Sequence, residues 1–381
     1  MKKLNWLLIP AMAFSIAACD LLNEIDDPIN VTIELSGAVS SPMVLEDHLD
    51  DGYDYYVTGE WSLDADVTIM PGVSIMMKPE SSIRVNTDGS LNAIGTEVKP
   101  IVIEGEINTK GAWGEIEFDN SNNPKNVLDY VMISDGGGES YSQAMIDIGG
   151  NSQVKITNCV IENSGEYGIQ LINNYSVLRE FSNNIVTGCE GYHMYIYVNQ
   201  LHVINATNVF YDNGDFNYVM VEDGNIDKNV TWEKLTAPVL LSGPYNLISA
   251  DVTVAPGAEF VMGSGALLTI EPEGSLNMTG TVNERITFTS KVEAPGYFEG
   301  ITFEDSNNPL NQLHYVDISY GGGGYSESNL WVRGSSRITI GNCSFNHSSN
   351  YGIYVSRDAT LTDDGANTFT GNALDDIYVQ Q

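Results

Sequence analysis

The sequence predicts an all-β solenoid, a single column of short strands wound into stacked coils and built twice over. Three observations lead there. The hexapeptide Asp119-Asn120-Ser121-Asn122-Asn123-Pro124 returns as Glu304-Asp305-Ser306-Asn307-Asn308-Pro309, and the match spreads at a constant offset of 185, so that Ile116 and Phe118 meet Ile301 and Phe303. Self-similarity on this scale marks a repeat architecture. Apolar residues come as short alternating pairs, such as Val131 and Ile133, Ile146 and Ile148, or Ile169 and Leu171, which is the period of a strand. Between the pairs lie roughly 8–15 residues of Gly, Asn, Asp and Ser, and beyond the N-terminal apolar run no helical i, i+3, i+4 pattern is sustained. Strands this short bury a core only by stacking coils of roughly 20–30 residues. A propeller would need a stricter four-strand repeat of about 40–50 residues, and a sandwich of this length with such an internal copy is rare.

Taken in order, the chain opens with Lys2-Lys3, an apolar run from Leu4 to Ala18, and Cys19. That is an export signal, too short to span a bilayer. Residues 19–52 form an acidic tether with one strand-like run, Val31 to Leu35, expected to cap the open end of the solenoid. Unit one is expected over 53–236 and unit two over 237–381, with Gly89-Ser90-Leu91-Asn92 matching Gly274-Ser275-Leu276-Asn277. One deletion shifts the offset to 184, where Asn158-Cys159 matches Asn342-Cys343. Nothing in unit two matches the stretch from Gln200 to Trp232.

Two resemblances sharpen this reading. Ile16-Ala17-Ala18-Cys19 resembles the lipobox of bacterial lipoproteins, which implies a diacylglycerol on Cys19 and an outer-membrane address, facing the cell surface or the periplasm. The run Val154-x-Ile156-x-Asn158-Cys159-x-Ile161-x-Asn163 followed by Tyr167-Gly168-Ile169 resembles the repeat of right-handed parallel β-helices of the pectin-lyase type. Pro71-Gly72, Gly95-Thr96, Trp113-Gly114 and Gly136-Gly137-Gly138, in that order, are similar to the pattern of Bacteroidetes β-helix lipoproteins. This implies fold and location, and carries no catalytic residue to transfer.

Composition narrows the partners. With 16 Lys and Arg against 51 Asp and Glu the net charge is −35, a field that repels phosphate backbones and anionic headgroups. Nucleic acid is excluded, the membrane is reached only through the acyl anchor, and a monomer is expected. Cys159, Cys189 and Cys343 are too few to pair fully, and read as packed positions.

Chemistry is faint. Asn86-Thr87-Asp88-Gly89 matches one block of the polygalacturonase signature, but the acidic pair, the Gly-His-Gly block and the Arg-Ile-Lys block are absent, and unit two reads Glu271-Pro272-Glu273-Gly274 there. No zinc-hydrolase spacing joins the five histidines, and no nucleophile elbow or phosphate loop occurs. The reading therefore leans away from an enzyme. No catalytic residue and no resident cofactor are assigned. Asp119, Asn122, Asp305 and Asn307 are oxygen donors of the kind Ca²⁺ takes, but their spacing lacks the regular alternation of a calcium loop, and a coil-to-coil turn accounts for them better. Trp113, Tyr192, Tyr195, Tyr197 and Trp331 are the candidate ligand platform, because such rings join a flat apolar face to a polar edge. The expected function is a non-enzymatic binding or structural module for a glycan or extracellular polymer. The alternatives are a polysaccharide lyase or glycoside hydrolase of the pectin-lyase type, and an adhesin or spacer.

Overall fold

The computed structural model describes residues 31–138 and 143–381. Over these residues the chain winds as a right-handed β-helix in which all pairings between its strands are parallel. Each coil contributes three strands to the three walls of a prism. The described residues contain no α-helix, only the 3₁₀ turns Val198–Val203 and Gly214–Phe216.

Alternation fixes which side chains fill the prism. In Ser82–Val85, for example, Ile83 and Val85 are buried while Ser82 and Arg84 face outward. Coil-to-coil register then stacks like upon like. On the first wall Ile75, Ile103, Ile133, Ile161, Val186 and Phe210 follow one another. On the second the file runs Ile83, Ile116, Ile146, Ile169, Met194, Val219, Val239, Phe260, Phe288, Ile318 and Phe345. The buried residues form one core that extends through both units. Each large side chain so buried contributes about 1.5–3 kcal/mol. Aliphatic stacking gives way to ring stacking along the second file, where Phe260 and Phe288 lie 4.6 Å apart at 9°. Residues 33–39 pair with Tyr55–Leu63 in parallel register, so the tail of the acidic tether already forms the first coil.

The repeated hexapeptide is a corner between walls. Ser121 receives a hydrogen bond from Asn126 Nδ2, donates to the Gly89 carbonyl at 2.8 Å, and Asn126 Oδ1 accepts from the Leu91 amide. The copy repeats each bond with Ser306, Asn311, Gly274 and Leu276. Asn120 and Asp305 sit at φ 57° and 54°, the left-handed region that Asn and Asp enter at least cost. Further round, Asn184 accepts from the Cys159 amide and donates to Asn208 Oδ1, so that asparagines stack from one coil to the next.

The two units are out of phase. The offset of 185 carries Ser74–Met77 onto Glu259–Met262, yet the first strand lies on the first wall and the second on the second wall, reached through the unbroken run Val219–Glu222, Val239–Leu241, Glu259–Met262. Likewise Ser82–Val85, on the second wall, corresponds to Leu267–Ile270 in a different sheet. The repeat thus closes one strand beyond a whole number of coils, and equivalent positions of the units look out from different walls. The slip coincides with the unrepeated stretch. There the turn Val198–Val203 takes the place of a third-wall strand, packing between Val177–Ser182 and Gly224–Ile226.

Candidate functional site

Outward positions stack in register as inward ones do. On the second wall of unit one the outward file runs Ser62, Arg84, Glu117, Asp147, Gln170, Tyr195, Met220. Its upper part is a charged patch. Arg84 bridges Glu117 at 2.5 Å and Asp119 at 2.6 Å. Asp147 is buried, its Oδ1 and Glu115 Oε2 find no ordinary donor, and a proton shared between these two neighbouring carboxyls would satisfy both. Burial first, and the Glu115 charge second, push Asp147 up to about 8. Burial also raises Glu117, although Arg84 pulls the other way.

Below the acids comes an aromatic group. Tyr167 stacks on Tyr192 and on Tyr195, each at 5.7 Å, and Tyr197 meets Tyr195 edge-on. The Tyr195 hydroxyl donates to Glu222 at 2.9 Å. Lys291, from unit two, stands over Tyr192 and Tyr218.

In unit two the corresponding outward file is Thr269, Thr302, Trp331, Tyr354, Tyr378. Tyr351 stacks on Tyr378 at 4.8 Å and 22°, as Tyr167 stacks on Tyr195, so this tyrosine pair is itself duplicated. Where unit one has Asp147 and Gln170, unit two has Trp331 and Tyr354. The last three coils therefore carry a continuous, partly exposed aromatic strip. Arg333 lies over Trp331 at 4.6 Å and pairs with Glu304 at 2.7 Å, and Trp331 Nε1 donates to Ser356. The strip thus joins ring surface to phenol hydroxyls and a charged border.

Of the residues singled out from the sequence, Tyr192, Tyr195 and Tyr197 come together in unit one, and Trp331 anchors the strip in unit two. Trp113 does not join them. It is 1 % exposed, its Nε1 bonded to the Ser134 carbonyl, because the coil folds its ring into the core. The oxygen donors serve the turns. Asp119 pairs with Arg84, Asp305 accepts from the Ser335 amide, and Asn122 and Asn307 are exposed corner residues. Among the described residues no three His, Cys, Asp or Glu side chains converge to hold a metal. Cys19 and the export signal lie outside the described residues. Sequence reasoning missed Glu115 and Glu117. The i, i+2 spacing of Glu115, Glu117 and Asp119 marks an outward acid row, but only the coil length brings Arg84 and Asp147 against it. Tyr351, Tyr354 and Tyr378 were missed for the same reason.

Residues 93–281 match the family model described as right handed beta helix region. That match and the parallel coils define the class: the chain is a right-handed parallel β-helix of pectin-lyase-like fold. No curated protein and no solved structure matches it.

Proposed function

We propose that the protein is a non-enzymatic glycan-binding β-helix whose contact surface is the strip Trp331, Tyr354 and Tyr378, flanked by Tyr351 and Arg333. The in-register aromatic file on the outer wall of the last coils carries this reading. Partly exposed rings, bordered by hydroxyls and an ion pair, suit the apolar faces and hydroxyls of sugars. A repeating polymer matches a repeating surface. The acid pair of unit one favours the second reading, an enzyme of the pectin-lyase type, since a carboxyl protonated near neutrality is what a general acid requires. Burial of Asp147 at 4 % exposure weighs against it, because a leaving oxygen has to reach that proton. The address completes the proposal: Cys19 is acylated, and the solenoid stands on the outer membrane.

The direct experiment is a panel of extracellular polysaccharides titrated into the mature protein, with intrinsic fluorescence as readout and product analysis alongside. Binding that Trp331→Ala weakens about tenfold or more, as truncation of a central aromatic anchor does, supports the reading. Release of reducing or unsaturated ends sinks it in favour of the enzyme. For the anchor, Cys19→Ala should move the protein from the detergent phase to the aqueous phase, and unchanged partitioning would overturn that part.

A further inference from the structure

The junction between the units holds a cavity of about 330 Å³ on the third wall. Its origin is local. The turn Val198–Val203 leaves the β-ladder after Val177–Ser182, so that the Leu178 amide bonds to the Gln200 side chain at 3.1 Å instead of to a neighbouring strand. The gap beneath is lined by Arg179, Asn199, Gln200, His202, Asp227 and Lys228 over an apolar floor. All of these except Arg179 and Asn199 fall in the stretch that unit two does not repeat.

The charge of this lining runs against the rest of the molecule. Lys78, Arg84, Lys99, Lys125, Lys155, Lys234, Arg285 and Arg333 all pair with carboxylates. Among the described residues Lys110, Arg179, Lys228, Lys291, Arg337 and Arg357 form no such pair with a side chain, and of these only Arg179 and Lys228 line this cavity. Arg179 is held rigid by the neighbouring coil corner, its Nη1 and Nη2 donating to the carbonyls of Pro124 at 2.8 Å and Asn126 at 2.6 Å. Neutral carbonyls leave its charge uncompensated, and its buried Nε has no acceptor. The exposed Lys228 adds a flexible donor across the gap, and His202 adds an imidazole held to the Asn199 backbone and kept below its usual pKa by desolvation, against a single carboxylate, Asp227. A fixed guanidinium, a flexible ammonium and an imidazole around a space of sugar size form an oxyanion receptor. The remote acidic surface does not forbid it, since exposed charges more than about 8 Å away are largely screened at physiological ionic strength.

We propose that this junction cavity binds a single sugar unit bearing an oxyanion, a carboxylate or a sulfate ester, with Arg179 and Lys228 as its cationic contacts and the His202 imidazole as a neutral hydrogen-bonding one. The site is separate from the aromatic strip and does not depend on it. The test is calorimetric titration of the full mature protein with glucuronate, with glucose 6-sulfate and with glucose, each at low and at physiological salt. Saturable binding of either anionic sugar, weakened by salt and absent with glucose, is expected, and which of the two binds identifies the source of the anion. Lys228→Ala, at an exposed position that spares the fold, should weaken binding about tenfold, the value of one charged hydrogen bond, and Lys228→Glu should abolish it. His202→Gln provides a second exposed variant with a smaller loss. The proposal is overturned if neither anionic sugar binds in the millimolar range, if glucose binds equally well, or if binding survives Lys228→Glu in a variant whose circular dichroism is unchanged.

Discussion

Replacing Asp147 by Asn should make the stability of the protein less sensitive to pH. Asp147 rises from 3.8 to about 8 in the folded chain, through burial and then through Glu115. Between those values the native state holds a proton that the unfolded chain has already released. Stability from this pair is therefore complete below about pH 4 and is lost as pH rises toward 8, since each pH unit of such mismatch costs about 1.4 kcal/mol. From about pH 4.5 to 7.5 the loss reaches up to about 4 kcal/mol. The asparagine amide keeps a donor toward Glu115 Oε2 and does not titrate. The assay is urea denaturation of wild type and Asp147→Asn at a series of pH values, comparing the difference between the two at each. That difference should move in the variant's favour by about 2–4 kcal/mol between pH 4.5 and 7.5. A difference that stays flat over this range would refute the shared-proton pair.

Three further outcomes follow from the core and the corners. Phe288→Ala, which removes one ring of the buried stacked pair with Phe260, should cost about 3–5 kcal/mol in chemical denaturation. Asn184→Ala should cost about 1–3 kcal/mol for each buried group it orphans, the Cys159 amide among them; hydrogen exchange at that amide should accelerate. Burial pushes the Cys159 thiol up to about 12 and Cys189 to about 11, so at pH 8 a thiol reagent should leave both unmodified in the native protein and label them on unfolding.

The class of fold was legible because alternation and repetition are properties of the chain itself. Ile146 and Ile148 declare a strand without any partner, and the copied hexapeptide declares two units. What lies beside what depends instead on the number of residues per coil, which varies along this chain and is set by corner geometry. Arg84 and Glu117 are 33 positions apart in sequence and adjacent in space, a separation that no local pattern announces. Trp113 failed as a ligand candidate for a related reason: it sits between strands, where alternation gives no rule for inside or outside. The outward files diverge where Asp147 in unit one gives way to Trp331 in unit two, and the unrepeated stretch from Gln200 to Trp232 contains most of the junction cavity.

The one-strand slip between units has a directional consequence. Two copies in phase would aim their homologous strips along a single line, so that one straight polymer could lie on both. Here the Tyr167–Tyr195 pair and the Tyr351–Tyr378 pair, equivalent by descent, point about a third of a revolution apart on the same rod. A further copy added at the same offset would aim along the remaining wall, and only the one after it would return to the first bearing. Duplication in this chain has therefore multiplied headings rather than lengthened a groove. With the proposed glycan contact, a rod of this kind would meet separate strands of a surrounding network from separate sides, as a peg rather than as a track.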